Sequence, residues 1–213
     1  MNSLHDSDGS MALSVAILAI LIIAVLIVIV TLVLPGFLVG ASVGLRTANV
    51  PYAPVVAGPV MGYADVSGQA DGIEVYNPAP DPSLLGTVTI PIQIQYFMTT
   101  NEVPPKIDMR TAQVYVTTSS GAELLPQSDD RPLTKPSWTI SQKTSLTPFV
   151  TPSPEDILDP NEIFTIMVYP GNGIPPGEKV SILVSIPRQW PLTVNFTVPN
   201  PVQPEMTLQY TTP

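Results

Sequence analysis

Residues 86–98 have the sequence GTVTIPIQIQYFM, in which apolar and polar side chains alternate with a period of two. The apolar set is Val88, Ile90, Ile92, Ile94, Tyr96 and Met98, and the polar set is Thr87, Thr89, Gln93 and Gln95. This alternation is typical of a β-strand that buries one of its faces. Pro91 lies on the polar side and has no N–H group, so we expect the strand to lie at a sheet edge or to pair on one side only at that point.

Shorter stretches elsewhere in the chain show the same alternation. They are GIEVY (72–76), AQVYVTT (112–118), a weaker SWTIS (137–141), IFTIMVY (163–169), KVSILVSI (179–186), LTVNFTV (192–198) and MTLQY (206–210). Turns rich in Pro, Gly and Asp separate them, and no helical periodicity lies between them. About eight short strands at this spacing predict an antiparallel, Ig-like β-sandwich.

The N-terminal part of the chain has a different character. Residues 10–45 contain no charged side chain, and residues 11–34 are Ala, Leu, Ile and Val apart from Met11, Ser14 and Thr31. A helix of about 24 residues spans roughly 36 Å, which is enough to cross a hydrocarbon core of about 30 Å. The run is also longer than the apolar region of a secretory signal. The predicted fold class is therefore α+β, with a long N-terminal hydrophobic α-helix followed by the sandwich.

These patterns divide the chain into four segments. Residues 1–9 are a short polar head, and residues 10–46 are the apolar helix and its break at Pro35 and Gly36. Residues 47–70 are rich in Pro, Gly and Ala and show no clear period, which predicts a connector. Residues 71–213 are predicted to form the β-sandwich.

Composition excludes several classes of function. The net charge of −9 argues against nucleic-acid binding, because there is no excess of Lys and Arg to neutralise phosphates. The chain has no cysteine, so thiolate metal sites and thiol nucleophiles are excluded. The only histidine, His5, precedes the sandwich, so a Ser–His–Asp triad within that domain is also excluded. We expect no enzymatic activity and no cofactor.

Acidic side chains cluster in two places of the predicted sandwich. They are Asp129 and Asp130, and the group Glu155, Asp156, Asp159 and Glu162. Such carboxylates could hold a calcium ion or act as a glycosidase pair. Their spacing matches no EF-hand loop, and acidic turns between strands are common. The sequence therefore favours solvated turns here and predicts no metal site and no catalytic site.

Residues 195–197 (Asn195, Phe196, Thr197) form an N-glycosylation sequon. The alternation places Phe196 inward, so Asn195 is expected to point outward, where a glycan can attach. Asn195 is the candidate glycosylation site.

Several stretches together resemble archaellins (archaeal flagellins), within the wider class of proteins with type IV pilin-like N-termini. At the N-terminus these are HDSDG (5–9) before SMALSVAILAILIIAV (10–25), and LPGFLV (34–39). In the rest of the chain they are GIEVY (72–76), PPKIDMRTAQVYV (104–116), ILDPNEIFTIMV (157–168), IPPGEKVSILVSIP (174–187) and PLTVNFTVP (191–199). Asp6 and Asp8 depart from the pattern, since family leaders usually carry Lys or Arg there.

The resemblance implies a structural role. Residues 1–9 would be a leader that a dedicated leader peptidase cuts after Gly9, which makes Ser10 the mature N-terminus. The apolar helix would lie in the membrane before a membrane assembly platform packs it with copies of itself into an extracellular filament that serves motility. The sandwich would form the outer wall of this homo-oligomer. The residues expected in the filament core are Leu18, Ile22, Val25, Ile29 and Leu32.

Two other functions stay open at this point. The chain could be an adhesive type IV-like pilin, because a rotary motor leaves no mark on the subunit sequence. It could also be a membrane-anchored extracellular β-sandwich, a binding or envelope protein whose helix stays in the bilayer.

Overall fold

The computed structural model describes residues 52–96 and 106–213, and these residues form sixteen β-strands and one 3-10 turn at Met109–Thr111. In chain order the strands are β1 (Tyr52–Val56), β2 (Val60–Asp65), β3 (Gly68–Ala70), β4 (Ile73–Tyr76), β5 (Asp81–Tyr96), β6 (Ile107–Asp108), β7 (Gln113–Thr118), β8 (Gly121–Leu125), β9 (Leu133–Thr134), β10 (Ser137–Ser145), β11 (Ile157–Leu158), β12 (Glu162–Tyr169), β13 (Lys179–Ser185), β14 (Leu192–Thr197), β15 (Glu205–Leu208) and β16 (Tyr210–Thr211).

Two sheets pack face to face in the unit Asn49–Pro213. The six-stranded sheet has the order β10–β12–β5–β2–β15, with β1 also paired to β5, and the five-stranded sheet has the order β16–β14–β13–β7–β8. Inward side chains of both sheets form one core, in which Ile90, Phe164, Val114 and Ile182 are completely buried. This arrangement is compatible with the predicted sandwich.

The predicted α+β class is wrong for the described part of the chain. Residues 52–96 and 106–213 contain strands and a single 3-10 turn but no α-helix. Their apolar side chains recur with a period of two, and prolines interrupt the longer segments, so no stretch presents a helical face. The long helix was predicted for residues 10–46, which lie outside the described residues. The described chain is an all-β structure.

The predicted connector, residues 47–70, contributes three strands. β1 and β2 both pair with β5 in the six-stranded sheet. The inward positions of β2 are Val60, Gly62 and Ala64. A Cβ atom added to Gly62 would lie 2.8 Å from Cδ1 of Leu85, so the close approach of β2 to the core requires a residue without a side chain. Small inward residues leave no apolar alternation in the sequence, which is why the strand was not predicted.

β5 is a central strand, so the prediction that it lies at a sheet edge is wrong. The alternative prediction, that β5 pairs on one side only at Pro91, is confirmed. On one side of β5 its partner is β12; on the other side the partner changes from β2, which pairs up to Thr89, to β1, which starts at Ile92. The carbonyl of Pro91 accepts a hydrogen bond from the Ala57 N–H at 2.9 Å. The N–H and C=O groups of a strand residue point to the same side of the strand. The position where Pro91 lacks an N–H therefore faces the connection between β1 and β2, and no hydrogen bond between strands is lost there.

The polar face of β5 is also covered. Thr87 and Thr89 are buried, because the three-stranded sheet β3–β4–β9 contributes to a second, smaller core outside the six-stranded sheet. The members of this core are Ala70, Ile73, Val75, Leu133, Met167 and Tyr169. The pairing of β4 with β9 is parallel, unlike the other pairings of the described strands. The six-stranded sheet is therefore buried on both faces over part of its area.

We expect Gly86→Ala to destabilise the sandwich. A Cβ atom at Gly86 would lie 2.5 Å from the Cα of Asp65, a backbone atom that cannot rotate away. Overpacking of this kind costs about 1–3 kcal/mol or more. Urea unfolding of the unit Asn49–Pro213 measures the loss. Gly171→Ala is the matched control, because its Cβ would meet only the flexible carboxylate of Glu123 at 2.6 Å. Equal stability of the two variants would contradict this account.

Candidate functional site

Three carboxylates of the acidic group at residues 155–162 are engaged by neighbouring groups. The Glu162 carboxylate is buried and accepts hydrogen bonds from the N–H of Ser153 at 2.7 Å and of Asp159 at 3.3 Å. Lys143 Nζ lies 2.9 Å from Asp156, and Lys106 Nζ lies 3.2 Å from Asp159. Asp129 and Asp130, the other acidic cluster, are exposed. Over residues 52–96 and 106–213, no group of His, Cys, Asp or Glu side chains has the arrangement of a metal site.

A buried ion pair that the sequence did not predict joins β2 to the segment after β9. Lys135 Nζ lies 2.6 Å from both carboxylate oxygens of Asp65, and the two side chains are 13 % and 3 % exposed. Lys135 Nζ also lies 5.2 Å from the centre of the Tyr169 ring. Seventy positions separate the two partners in the sequence, so no local pattern could have indicated the pair.

The surroundings of this pair are closely packed. Burial raises the pKa of the Tyr169 hydroxyl, and the negative charge of Asp65 raises it further. The Asn77 side-chain amide donates to the backbone carbonyl of Asp65 at 3.3 Å. A Cβ atom on Gly173 would lie 2.6 Å from the Asp65 carboxylate. The pair therefore holds the small sheet against the six-stranded sheet, and it has no room for a ligand.

Asn195 lies on the outer face of the five-stranded sheet, as the alternation predicts. Its neighbours Val194 and Phe196 are buried in the core, and Asn195 itself is half-buried. Across the sheet it is paired with Ser181 on one side and Thr211 on the other. An open groove of about 600 Å³ runs over this face beside Asn195. The face is lined largely by short hydroxyl side chains and offers space next to the amide of Asn195.

Glu178 borders the same face. Its carboxylate accepts a hydrogen bond from the Ser119 N–H at 2.6 Å. Hydrogen bonding by the Ser119 side chain, and then by this N–H, holds the pKa of Glu178 below its usual range. The hydrogen bond from the Ser119 N–H joins the turn between β7 and β8 to the start of β13. The Glu178 carboxylate is therefore already engaged within the sandwich.

The other predicted site residues lie outside the described residues. They are the leader-cleavage positions Gly9 and Ser10 and the filament-core positions Leu18, Ile22, Val25, Ile29 and Leu32. In the described part of the chain, no helix is long and apolar enough to cross a membrane.

No protein-family model matches this chain, and no curated protein matches it.

Solved structures with a similar fold include archaellum proteins. An archaeal flagellin of Methanocaldococcus jannaschii has a TM-score of 0.49 at 16 % identity, over 74 % of this chain and 97 % of that one. The archaeal flagellum of Methanospirillum hungatei gives 0.42 at 14 % identity, over 93 % and 98 %. An archaellum periplasmic stator protein of Sulfolobus acidocaldarius gives 0.36 at 15 % identity, over 52 % and 86 %. The chain is similar to these archaeal flagellin structures, and at these TM-scores and identities the similarity assigns no function.

Proposed function

We propose that this chain is a structural, non-enzymatic subunit of an extracellular helical filament of the archaellum type, which serves motility. In this proposal the apolar segment, residues 10–45, packs with copies of itself in the filament core, and the β-sandwich forms the outer wall. The observation that carries the proposal is the complete absence of charge over residues 10–45 in a chain that otherwise carries a net charge of −9.

A filament core requires this absence of charge. One unpaired ion in the core would be repeated in every subunit, and each copy would incur the cost of desolvation. Water is excluded both from the lipid core and from a bundle of apolar segments. Moving such a segment from the membrane to the filament therefore need not expose its apolar surface to water. The segment therefore suits two successive environments, the membrane before assembly and the filament core afterwards.

Mass spectrometry of filaments sheared from cells tests the proposal. We expect the mature chain to begin at Ser10, following cleavage after Gly9 by a leader peptidase, and we expect the peptide with Asn195 to carry added glycan mass. An intact Met1 found only in the membrane fraction would contradict filament assembly and would favour the membrane-anchored alternative. Processed filaments on cells that adhere but do not swim would instead favour the adhesive pilin.

A further inference from the structure

An exposed apolar loop follows β10. We define it by Leu146, Phe149 and Val150, which are 46 %, 109 % and 53 % exposed. Phe149 has a φ of 64°, in the left-handed region that a bulky side chain rarely occupies. Strained backbone of this kind is concentrated at functional sites, so it directs attention to this loop. Among residues 52–96 and 106–213, nothing covers the ring of Phe149.

An apolar groove of about 620 Å³ lies on another edge of the sandwich. We call it the edge groove, and its principal walls are Val55 of β1, Trp190 and Leu192 around the start of β14, and Tyr210 of β16. β1 pairs only with β5, and Leu192 and Thr193 of β14 have a partner only in β13. The groove therefore lies between two strand edges that no other described strand covers.

The apolar loop and the edge groove lie at the same end of the six-stranded sheet but on opposite edges. The register across the sheet shows this. Lys143 of β10 is paired with Phe164 of β12, and Phe164 is paired with Ile92 of β5. Ile92 is in turn paired with Val56 of β1, so the end of β10, the end of β5 and the strand β1 lie side by side. At this level the order is β10–β12–β5–β1, in which the two outer strands are about 14 Å apart. The apolar loop does not line the groove of its own sandwich, whereas the loop of a neighbour placed beside it can lie against that groove.

Charge also favours a second copy as the occupant. The chain carries a net charge of −9, and it stays clearly acidic after loss of Asp6 and Asp8 with the proposed leader, so copies repel one another and contact through uncharged surfaces is favoured. Residues 144–154, which include the apolar loop, carry no charged side chain, and neither do the residues that line the edge groove. Both surfaces are apolar, uncharged and without a partner among the described residues.

We propose that the apolar loop of one subunit inserts Phe149 into the edge groove of the next. The contact joins two different surfaces, so it can repeat from subunit to subunit along an open helical array. It rests on the proposed filament function and adds to it a lateral contact within the outer wall, separate from the core segment.

Site-specific cross-linking of filaments tests this contact. The natural chain has no cysteine, so introduced thiols are the only ones present. Thr151→Cys beside the loop and Thr193→Cys in the groove leave the apolar contact residues intact. We expect filaments of the double variant, treated with a short bis-maleimide, to give a covalent ladder of many subunits. The matched control, Leu124→Cys with Thr193→Cys, places the first thiol on an exposed apolar residue outside the contact and should give no ladder.

The outcomes distinguish failure of the proposed contact from failure of the proposed filament function. Filaments that form but give no ladder with the first pair, or the same ladder with both pairs, overturn the contact and leave the filament function standing. If the natural chain forms no filaments, the filament function fails and the contact fails with it.

Substitution of Phe149 provides a second readout. Phe149→Ser should lower the proportion of subunits recovered in filaments by about tenfold or more, as expected for loss of a buried aromatic anchor. Phe149→Leu should retain most of it, and so should Leu124→Ser. Because Phe149 is fully exposed in its own subunit, the variant should fold normally. Unchanged recovery for Phe149→Ser would overturn the proposal.

Discussion

Val25→Asp should abolish filaments. Val25 lies in the middle of the charge-free segment that we propose for the filament core. A single acidic side chain at the centre of a membrane-spanning segment costs about 3 kcal/mol, and in a filament the same cost recurs in every subunit. We therefore expect no filaments in the sheared extracellular fraction, as measured by electron microscopy and by the amount of the chain recovered.

Two controls test whether the loss of filaments comes from the proposed filament core and not from misfolding of the sandwich. Val25→Leu keeps the apolar surface and should assemble normally. The unit Asn49–Pro213 lacks the segment and should keep its sandwich, with an unchanged β-type circular dichroism spectrum. Its boundary must include β1 and β2, because a fragment that starts at residue 71 would remove two strands that pair with β5. Normal filaments from Val25→Asp would show that the segment does not form the core.

Asp65→Asn should destabilise the sandwich more than any surface substitution. It leaves the ammonium group of Lys135, which is 13 % exposed, without its counter-charge. Removing one partner of a buried ion pair costs about 3–5 kcal/mol, since the remaining charge stays desolvated. Lys135→Met should have a similar effect, because it leaves the carboxylate of Asp65, which is 3 % exposed, unpaired. Urea unfolding of Asn49–Pro213 measures both losses.

A double-mutant cycle distinguishes this pair from general packing. Asp65→Asn combined with Lys135→Met removes both charges and nearly preserves both volumes. The double variant should therefore lose clearly less stability than the sum of the two single losses. The exposed pair of Lys106 and Asp159 is the control, and its removal should cost less than about 1 kcal/mol. Additive losses at Asp65 and Lys135 would mean that the two charges do not stabilise each other.

Much of the sandwich could be predicted from alternation alone. Val88, Ile90, Ile92 and Ile94 occupy one face of β5 and are buried, as the pattern predicts. A strand with one face on a core needs apolar side chains at every second position, and that requirement is local, so it can be recognised in one stretch of sequence. The outward position of Asn195 follows from the same rule.

β1 and β2 could not be predicted in this way. In β2 the inward residues Gly62 and Ala64 are small, and the neighbouring side chains of Leu85 and Leu208 fill the space beside Gly62. In β1 the inward residues Tyr52 and Val56 are separated by Pro54, which interrupts the apolar alternation. The burial of Thr87 and Thr89 was also not predictable, since the small sheet that covers them comes from other parts of the chain. In both cases the deciding contact joins residues that are distant in sequence.

The candidate surfaces show the same division. The charge-free segment, the sequon and the alternation of the sandwich can be recognised in the amino-acid sequence, because each depends on the chemistry of neighbouring residues. The contact of Asp65 with Lys135, the full exposure of Phe149 and the groove lined by Val55, Trp190 and Tyr210 are visible only in the folded chain. Those arrangements depend on which strands pair, and strand pairing brings together residues whose separation along the chain carries no local signal.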